Sequence, residues 1–365
     1  MTVTKTLKLK QDLSKPLIFA FANNNKGLVK IGERGQIIEE NLLGKLISIQ
    51  ENDSQSLINF SVNHGCLFPI SPNEYKPIDT TSLFQVITRI KTTIELLNHI
   101  SNPTDYWQML SHIIFLLYTP QVDISDFGFS THKHSFKAEL ETIDRSQDIN
   151  REQEIFEKGT FTVVDTLNGM YEVNNELYQN IMNGYSSEDG HDNEDFKDIV
   201  YFYANKPKAK QEHREIVDLL FHYQLTHGVL RNFREYNRME HYSTRSLELT
   251  TELKQRIVEV AKIVVGEEIN ANINGIHPEY DIKTMSPKWT VDSLIAALYF
   301  SIFYLNPDLE LYRKCANPNC QQYFIVKTTA TKKKYCSMEC SNAVQQANYR
   351  RRQKTQNKNE VKSSF

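Results

Sequence analysis

Four of the five cysteines lie close together near the C-terminus, with the spacing Cys315-x4-Cys320-x15-Cys336-x3-Cys340. Thiolate sulfur is a preferred zinc ligand. Two closely spaced pairs, separated by a dozen or more residues, are the usual layout of a four-cysteine structural site. The spacing therefore predicts that these four side chains hold one structural Zn²⁺ ion.

Two other uses of four cysteines compete with zinc. Structural disulfides need an oxidising compartment, and no apolar stretch near Met1 is long enough for a secretion signal. A thiol redox site normally has two cysteines separated by two residues, and that spacing does not occur in this sequence. Both alternatives are weaker than zinc. Cys66 is expected to be an ordinary buried thiol.

The residues around the cysteines predict the elements that position them. Residues 317–319 are Asn-Pro-Asn and supply a turn between the first two cysteines. A strand is predicted over 323–326, followed by a polar turn and a return at Tyr335. The second pair opens a helix with Ser337 or Ser341 as its N-cap. These expectations describe a ββα zinc finger.

The charge of the chain is unevenly distributed. The sequence has 42 Lys and Arg and 45 Asp and Glu, but from Arg313 onward it has twelve basic and only two acidic residues. A basic end on an acidic body is typical of a chain that contacts an anionic partner there. The alternative is a solvated basic tail that has no partner.

The segment after Cys340 has neither Gly nor Pro over some four turns and predicts a helix. Ala343, Val344 and Ala347 share one side and are expected to pack on the zinc finger. Arg and Lys bind phosphates, whereas Gln, Asn and Arg can read base edges in a major groove. The residues predicted to contact nucleic acid, with DNA preferred, are Lys332, Lys333, Lys334, Asn342, Gln346, Arg350, Arg351, Arg352 and Lys354.

These segments resemble the CGNR-type zinc finger of bacterial proteins. The resemblance is carried by Cys315-Ala-Asn-Pro-Asn-Cys320, by the residues around Cys336 and Cys340, and by Tyr349-Arg-Arg-Arg352. The Cys-Gly-Asn-Arg signature reads Cys-Ser-Asn-Ala at 340–343, so its Gly and Arg are replaced here. The resemblance implies a treble-clef-like module that ends a larger helical domain and binds DNA in transcriptional regulators. A helix expected over 289–305 resembles the segment that often precedes such fingers.

The body of the chain predicts a mainly α fold with a small β-containing N-terminal region (α+β), followed by the ββα finger. The expected domains cover residues 1–80, 81–308 and 313–358. Strands are predicted at 6–10, 17–21, 28–31 and 37–38. Helices are predicted at 56–65, 79–97, 106–118, 212–234, 253–272 and 289–305.

Catalytic motifs are absent from the sequence. It has no nucleophile elbow, no phosphate-binding loop and no His-Glu-x-x-His pattern. An enzyme whose site is assembled from scattered residues stays open. The segment 132–134, His-Lys-His, is expected in a surface loop. The acidic stretch 186–195 is expected to be an exposed loop without the order of ligands of a calcium loop.

The sequence favours a cytoplasmic, zinc-containing protein that binds nucleic acid and has a regulatory, transcription-related role. No membrane partner is expected, because the longest apolar segment, 294–305, is shorter than the roughly 20 residues of a membrane span. One finger binds DNA weakly, so a homodimer or a second contact surface is expected. The alternative is a protein-interaction, stress or defence protein in which the zinc finger is purely structural.

Overall fold

The computed structural model describes most of the chain with its side chains. The described residues are 3–9, 17–22, 27–32, 34, 36–39, 41–68, 79–124, 129–142, 160–174, 194–206, 209–227, 230–231, 240–241, 248–283, 285–305, 310–330 and 332–363.

The described residues form ten helices and fourteen strands. The helices are α1 (Leu42–Ile47), α2 (Ser54–His64), α3 (Thr80–Ser101), α4 (Tyr106–Tyr118), α5 (Ser135–Glu141), α6 (Glu194–Asn205), α7 (Gln211–His227), α8 (Thr251–Asn272), α9 (Leu294–Phe303) and α10 (Met338–Ser363). The strands are β1 (Val3–Leu9), β2 (Leu17–Ala22), β3 (Gly27–Ile31), β4 (Ile37–Glu39), β5 (Asp123–Ile124), β6 (Phe129–Ser130), β7 (Thr160–Asp165), β8 (Gly169–Asn174), β9 (Leu230–Arg231), β10 (Glu240–His241), β11 (Ile276–Asp281), β12 (Ser286–Val291), β13 (Glu310–Lys314) and β14 (Tyr323–Lys327).

The chain divides into two units, and α3 contributes residues to both. The sheet unit comprises Met1–Ile94, Asp123–Ser130 and Asn272–Phe365. The helical unit comprises Glu95–Val122 and Thr131–Ala271.

The sheet unit contains a six-stranded sheet in the order β11-β12-β1-β2-β3-β4. Neighbouring strands are antiparallel except β1 and β12, which pair in parallel with Leu7 opposite Trp289. This pairing joins β1, the first described strand, to the β11–β12 hairpin. Helix α9 lies between that hairpin and the finger. Strand patterns alone did not reveal the pairing, because parallel partners can be far apart in sequence.

Helix α9 forms the apolar centre of the sheet unit. Its residues from Leu294 to Ile302 are all buried. Ser293 caps the helix by accepting a hydrogen bond from Ala296 N–H (3.2 Å), and Ile295 N–H donates to Leu67 O (3.1 Å). The helix therefore lies immediately ahead of the finger and is anchored at its N-terminal end.

The helical unit packs aromatic and aliphatic side chains of α4 to α8. Tyr203 on α6 stacks on Phe221 of α7, with the ring centroids 3.7 Å apart. Beneath them, Lys206 forms an ion pair with Asp218, and both side chains are almost completely buried. Burial of paired charges is tolerated because each charge satisfies the other.

The mainly α, α+β fold class with a C-terminal ββα finger is confirmed, and so is the helix predicted at 106–118. Two predicted helices were too long. Helix α7 ends at His227, ahead of Gly228, and 230–231 form a strand. Trp289 lies in β12, and α9 begins only after its Ser293 cap.

Other expectations meet the structure only in part. The predicted acidic loop 186–195 lies outside the described residues except for its last two, which begin α6. The predicted domain boundaries stay a prediction, although β11 and β12 pair with the N-terminal strands. Among the described residues, no helix is both long and apolar enough to cross a membrane.

Candidate metal centre

The four cysteine sulfurs near the C-terminus converge on one point. Their Sγ atoms all lie within 4.8 Å of one another. Cys336 Sγ is 3.6 Å from Cys320 Sγ and 3.5 Å from Cys340 Sγ. Four sulfurs bound tetrahedrally at about 2.3 Å from zinc stand about 3.8 Å apart. The donor set and its spacing therefore fit one Zn²⁺ ion.

The same distances rule out disulfide bonds, whose sulfur atoms are only about 2 Å apart. All five cysteines of the chain are free thiols in the structure. The prediction of one structural Zn²⁺ held by four cysteines is confirmed over the alternative of structural disulfides.

A tight turn presents the first two ligands. Cys315 directly follows β13, and its N–H donates to Gln322 O (2.9 Å), which closes the loop. Inside the loop, Cys320 N–H donates to Asn317 O (3.0 Å) and the Asn317 side chain accepts from Asn319 N–H (3.1 Å). The Asn-Pro-Asn residues therefore form the turn that the sequence predicted, and it brings Cys320 back beside Cys315.

The N-terminus of α10 presents the second pair. Ser337 precedes the helix, and its Oγ accepts a hydrogen bond from Cys340 N–H (3.3 Å), so Ser337 is the cap and Ser341 is not. Cys336 N–H points to Cys315 Sγ at 3.5 Å. The backbone of one cysteine thus supports the sulfur of another, as second-shell groups do at metal sites.

Neighbouring thiols change the pKa values of Cys336 and Cys340. Burial raises the pKa of Cys336, and the thiols of Cys340 and Cys320 raise it further. Hydrogen bonds from Asn317 and then from Cys336 lower the pKa of Cys340 to about 7. A cation bound by thiolates replaces these protons, so metal binding at this site releases protons and is favoured by rising pH.

The hairpin of the finger differs from the one predicted. The strand expected over 323–326 is present as β14, but its partner is β13, which precedes Cys315, and Tyr335 forms no return strand. The first cysteine pair therefore lies in the hairpin turn. A small core of Cys315, Phe324 and Val326 forms beneath the metal ligands.

Helix α1 holds the finger through the backbone of Tyr323. Asn41 Nδ2 donates to Tyr323 O (2.9 Å), and Tyr323 N–H donates to Ser48 Oγ (2.8 Å). Asn41 and Ser48 cap the two ends of α1. Between them, a Cβ on Gly44 would stand 2.5 Å from Tyr323 O. We call this arrangement of Asn41, Gly44 and Ser48 around Tyr323 the α1 clamp.

The lysine loop of the finger is anchored at its backbone and exposed at its side chains. Arg313 donates to Lys333 O (2.7 Å), and Ala316 N–H donates to Lys334 O (2.9 Å). The side chains of Lys332, Lys333 and Lys334 are exposed. Hydrogen bonds therefore hold the backbone at Lys333 and Lys334, while the three lysine side chains are exposed to solvent.

Helix α10 extends from the metal centre with its polar side chains exposed. Asn342, Gln346 and the arginines 350–352 are all exposed. Lys354 lies within the helix, but its side chain is outside the described residues. Ala343 and Ala347 are exposed as well, whereas Val344 is half-buried, so the expected packing on the finger is wrong for the two alanines. A helix that is polar all round has little to pack against its own protein.

The hairpin, the turn and the capped helix define a zinc-stapled ββα module. Residues 312–353 match the family model of the CGNR zinc finger, and this chain therefore carries a C-terminal finger of that type. No curated protein and no solved structure matches the chain.

A second cluster of polar side chains surrounds Ser135, the first residue of α5 in the helical unit. Ser135 Oγ lies 2.8 Å from His213 Nε2 and 2.7 Å from Glu267 Oε2. Ser135 N–H donates to Glu267 Oε1 (2.6 Å), and Glu139 contacts His213 Nδ1. His132 Nε2 is 2.8 Å from Glu267 Oε1. These residues come from three helices and one loop, and no local motif marks them.

The order Ser135, His213, Glu139 has the layout of a nucleophile relay, but the position of the hydroxyl proton argues against one. Burial raises the pKa of Glu267, yet hydrogen bonds from His132 and Ser135 and the charge of His134 lower it to about 2. The Ser135 hydroxyl donates to Glu267 Oε2 (2.7 Å), so its single proton is directed at this carboxylate and not at His213. We interpret the cluster as a structural connection between α5, α7 and α8.

His134 in this cluster is not on the surface, as the sequence suggested. Its side chain is only 2% exposed. Its Nδ1 accepts the Phe136 N–H (3.1 Å) and caps α5. Burial lowers the pKa of His134 to about 4, so the ring is neutral at physiological pH. No local sequence signal marked this role, because histidine is not among the preferred N-cap residues.

Proposed function

We propose that this chain is a DNA-binding protein with a regulatory role, and that the zinc finger and its basic helix form the nucleic-acid interface. The observation that carries the proposal is the exposure of the basic side chains. Lys332 to Lys334 and Arg350 to Arg352 all reach solvent from the zinc-stapled module. Cationic side chains that are exposed to solvent can contact phosphates.

The form of α10 supports duplex DNA as the partner. A single helix fits the major groove, where Asn and Gln can pair with adenine and Arg with guanine. Asn342, Gln346 and Arg350 follow one another at intervals of four residues, so they lie along one side of the helix. They would read bases, whereas the lysine loop would hold the backbone.

A single module of this size buries too little surface for tight, specific binding. We therefore propose that a homodimer or a second surface of the chain adds to the contact with DNA. Two copies would place their helices in successive major grooves on one side of the duplex. A cytoplasmic location agrees with five free thiols.

The experiment is a binding titration of the zinc-loaded chain with mixed-sequence DNA duplexes and with RNA. The Arg350/Arg351/Arg352→Ala variant should lose at least tenfold in affinity. A Lys210/Lys262/Lys283→Ala variant removes the same charge from exposed positions in the body and should bind like the parent chain. Equal affinity of all three proteins, each with a full zinc content, would contradict the proposal.

A protein partner is the second candidate function, and two exposed side chains favour it. Met338 is 77% exposed and Tyr349 is 62% exposed, both on α10. The two residues are eleven positions apart, about three helical turns, so they lie on the same side of α10. Apolar groups exposed together on one face are typical of interaction surfaces. In that case the finger is a docking module, and Met338→Ala with Tyr349→Ala would abolish capture of the partner while leaving DNA affinity unchanged.

A further inference from the structure

A cleft of about 300 Å³ lies between α1 and α2 in the sheet unit. Lys45 and Ser48 line it from α1, and Asn59, Asn63 and His64 line it from α2. Its volume lies at the lower end of the range of small-molecule sites. Most of the lining side chains are polar, so the cleft suits a small polar ligand better than an apolar one.

His64 in this cleft is incompletely satisfied. Its side chain is buried, with only 6% exposed, and its Nδ1 has no hydrogen-bond partner among the described residues. Buried polar atoms are nearly always paired, and an orphaned one calls for an explanation. Nδ1 itself is buried, so a ligand in the cleft would hydrogen-bond to it once the imidazole turns toward the cleft.

Positive charge is concentrated around His64. Burial lowers its pKa most, and the charges of Lys30 and Lys45 lower it further, whereas Glu39 acts in the opposite sense. Lys30 donates to Asn63 O at the end of α2, and Lys45 is paired with Glu39. Asp53 is the acidic residue of the lining, but it caps the opposite end of α2, eleven residues before His64. Around His64 two ammonium groups face one carboxylate, so this end of the cleft is suited to an anionic group.

We propose that this cleft binds a small organic carboxylate, and that α1 transmits its occupancy to the zinc finger. The carboxylate would lie at the His64 end, within reach of the cationic groups. The exposed amides of Asn59 and Asn63 offer donors and acceptors to the rest of the ligand. A molecule of amino-acid size matches the volume.

The route to the finger is a chain of hydrogen bonds. Ser48 lines the cleft, donates to Gly44 O and accepts from Tyr323 N–H. Asn41, at the other end of α1, holds Tyr323 O. A ligand that shifts α1 must therefore shift β14, because the backbone of α1 at Gly44 is packed directly against Tyr323 O. The regulatory meaning of this coupling rests on the proposed DNA-binding function, whereas the binding itself does not.

Ligand binding is tested by thermal unfolding of the zinc-loaded full chain with acetate, succinate or L-aspartate, and with inorganic phosphate for comparison. We expect at least one carboxylate, and not phosphate, to raise Tm by about 2 °C or more at ten times its Kd. If no carboxylate raises Tm, or if phosphate raises it equally, the carboxylate site is wrong.

An isosteric pair of variants locates the site. Asn59→Asp places a negative charge in the cleft and should weaken carboxylate binding at least tenfold. Gln255→Glu makes the same change on an exposed residue of α8, in the helical unit and outside the lining of the cleft, and should bind like the parent chain. If the two substitutions changed carboxylate affinity equally, the ligand would not bind in this cleft.

Coupling is tested by amide hydrogen exchange without any nucleic acid. The bound carboxylate should change the exchange rate of Tyr323 N–H several-fold in the parent chain. In Asn41→Gly, which removes the contact of the α1 clamp with Tyr323 O but no group that lines the cleft, the carboxylate should still raise Tm but change that rate less than in the parent chain. An unchanged rate in the parent chain with bound ligand would contradict the coupling. Since DNA is absent, failure of the DNA-binding proposal would leave this result intact.

Discussion

Hydrogen bonds hold two of the four zinc ligands, one at its sulfur and one at its backbone. Cys315 is only 4% exposed and receives the N–H of Cys336, whereas Cys340 is tied to its Ser337 cap. Such support orients a thiolate before the metal binds. The finger core consists largely of the ligands themselves, so the metal replaces much of the apolar core that this segment lacks.

Cys336→Ser should remove the bound zinc. Three sulfurs with one weak oxygen ligand hold Zn²⁺ far less tightly than four sulfurs, so the metal content should fall from one ion per chain to nearly none. Metal analysis after gel filtration measures this. Cys66→Ser is the matched control, and it should retain one zinc because Cys66 lies outside the cluster. A zinc-loaded Cys336→Ser protein would contradict the assignment.

Position 44 requires glycine because neighbouring atoms leave no room for a Cβ, and not because of its backbone conformation. A Cβ there would stand 2.3 Å from Asn41 Nδ2 and 2.5 Å from Tyr323 O. Gly44→Ala should therefore lower the free energy of unfolding by about 1–3 kcal/mol through overpacking, as measured by urea denaturation.

Gly266→Ala is the control for that substitution. Gly266 also lies in a helix, α8, but no atom lies within 4 Å of a Cβ built there. Alanine should be neutral at this position or should stabilise the protein by up to about 1 kcal/mol. If Gly44→Ala were as well tolerated as Gly266→Ala, the α1 clamp would not be as tight as described.

At the scale of elements, the stability of α5 should depend on pH through His134. The folded pKa of about 4 lies below the ordinary value of 6.5. Between these values the unfolded chain binds more protons, so lowering the pH favours unfolding. The contribution is complete above about pH 6.5. It falls by at most about 3 kcal/mol as the pH drops to 4.

Urea denaturation between pH 7 and 4.5 measures this dependence. His134→Asn keeps a cap acceptor for α5 but has no titrating ring, so its stability should fall less over the same range. Glu267, whose pKa is lowered to about 2, loses its contribution only at more acidic pH. Parallel curves for the two proteins would show that His134 is not the buried, neutral ring described here.

Local patterns predicted those elements whose signals are local. The helix at 106–118 has an Asp105 cap and a following Pro120, and both ends were found from the sequence. The four ligands were found because metal spacing is local. The partner of β14, the pairing of β1 with β12 and the cluster around Ser135 join residues distant in sequence, so periodicity carries no information on them. The exposed Ala343 was misassigned because small apolar residues were taken as a packing face.

At the scale of the whole molecule, positive and negative charge are divided between the finger and the rest of the chain. The finger and its helix carry most of the positive charge of the C-terminal segment, while the remainder of the chain is acidic. The acidic body would repel DNA, so association should be confined to the finger end. Such binding depends on counterion release and weakens with salt.

The most direct measurement is a salt titration of DNA affinity for the parent chain and for Arg350/Arg351/Arg352→Ala, with the zinc content measured for both. Each phosphate contact adds about −0.9 to the slope of log K against log salt. The slope should be shallower by about 2 to 3 in the variant, which should retain its zinc. An identical slope and affinity in a zinc-loaded variant would contradict α10 as the nucleic-acid interface.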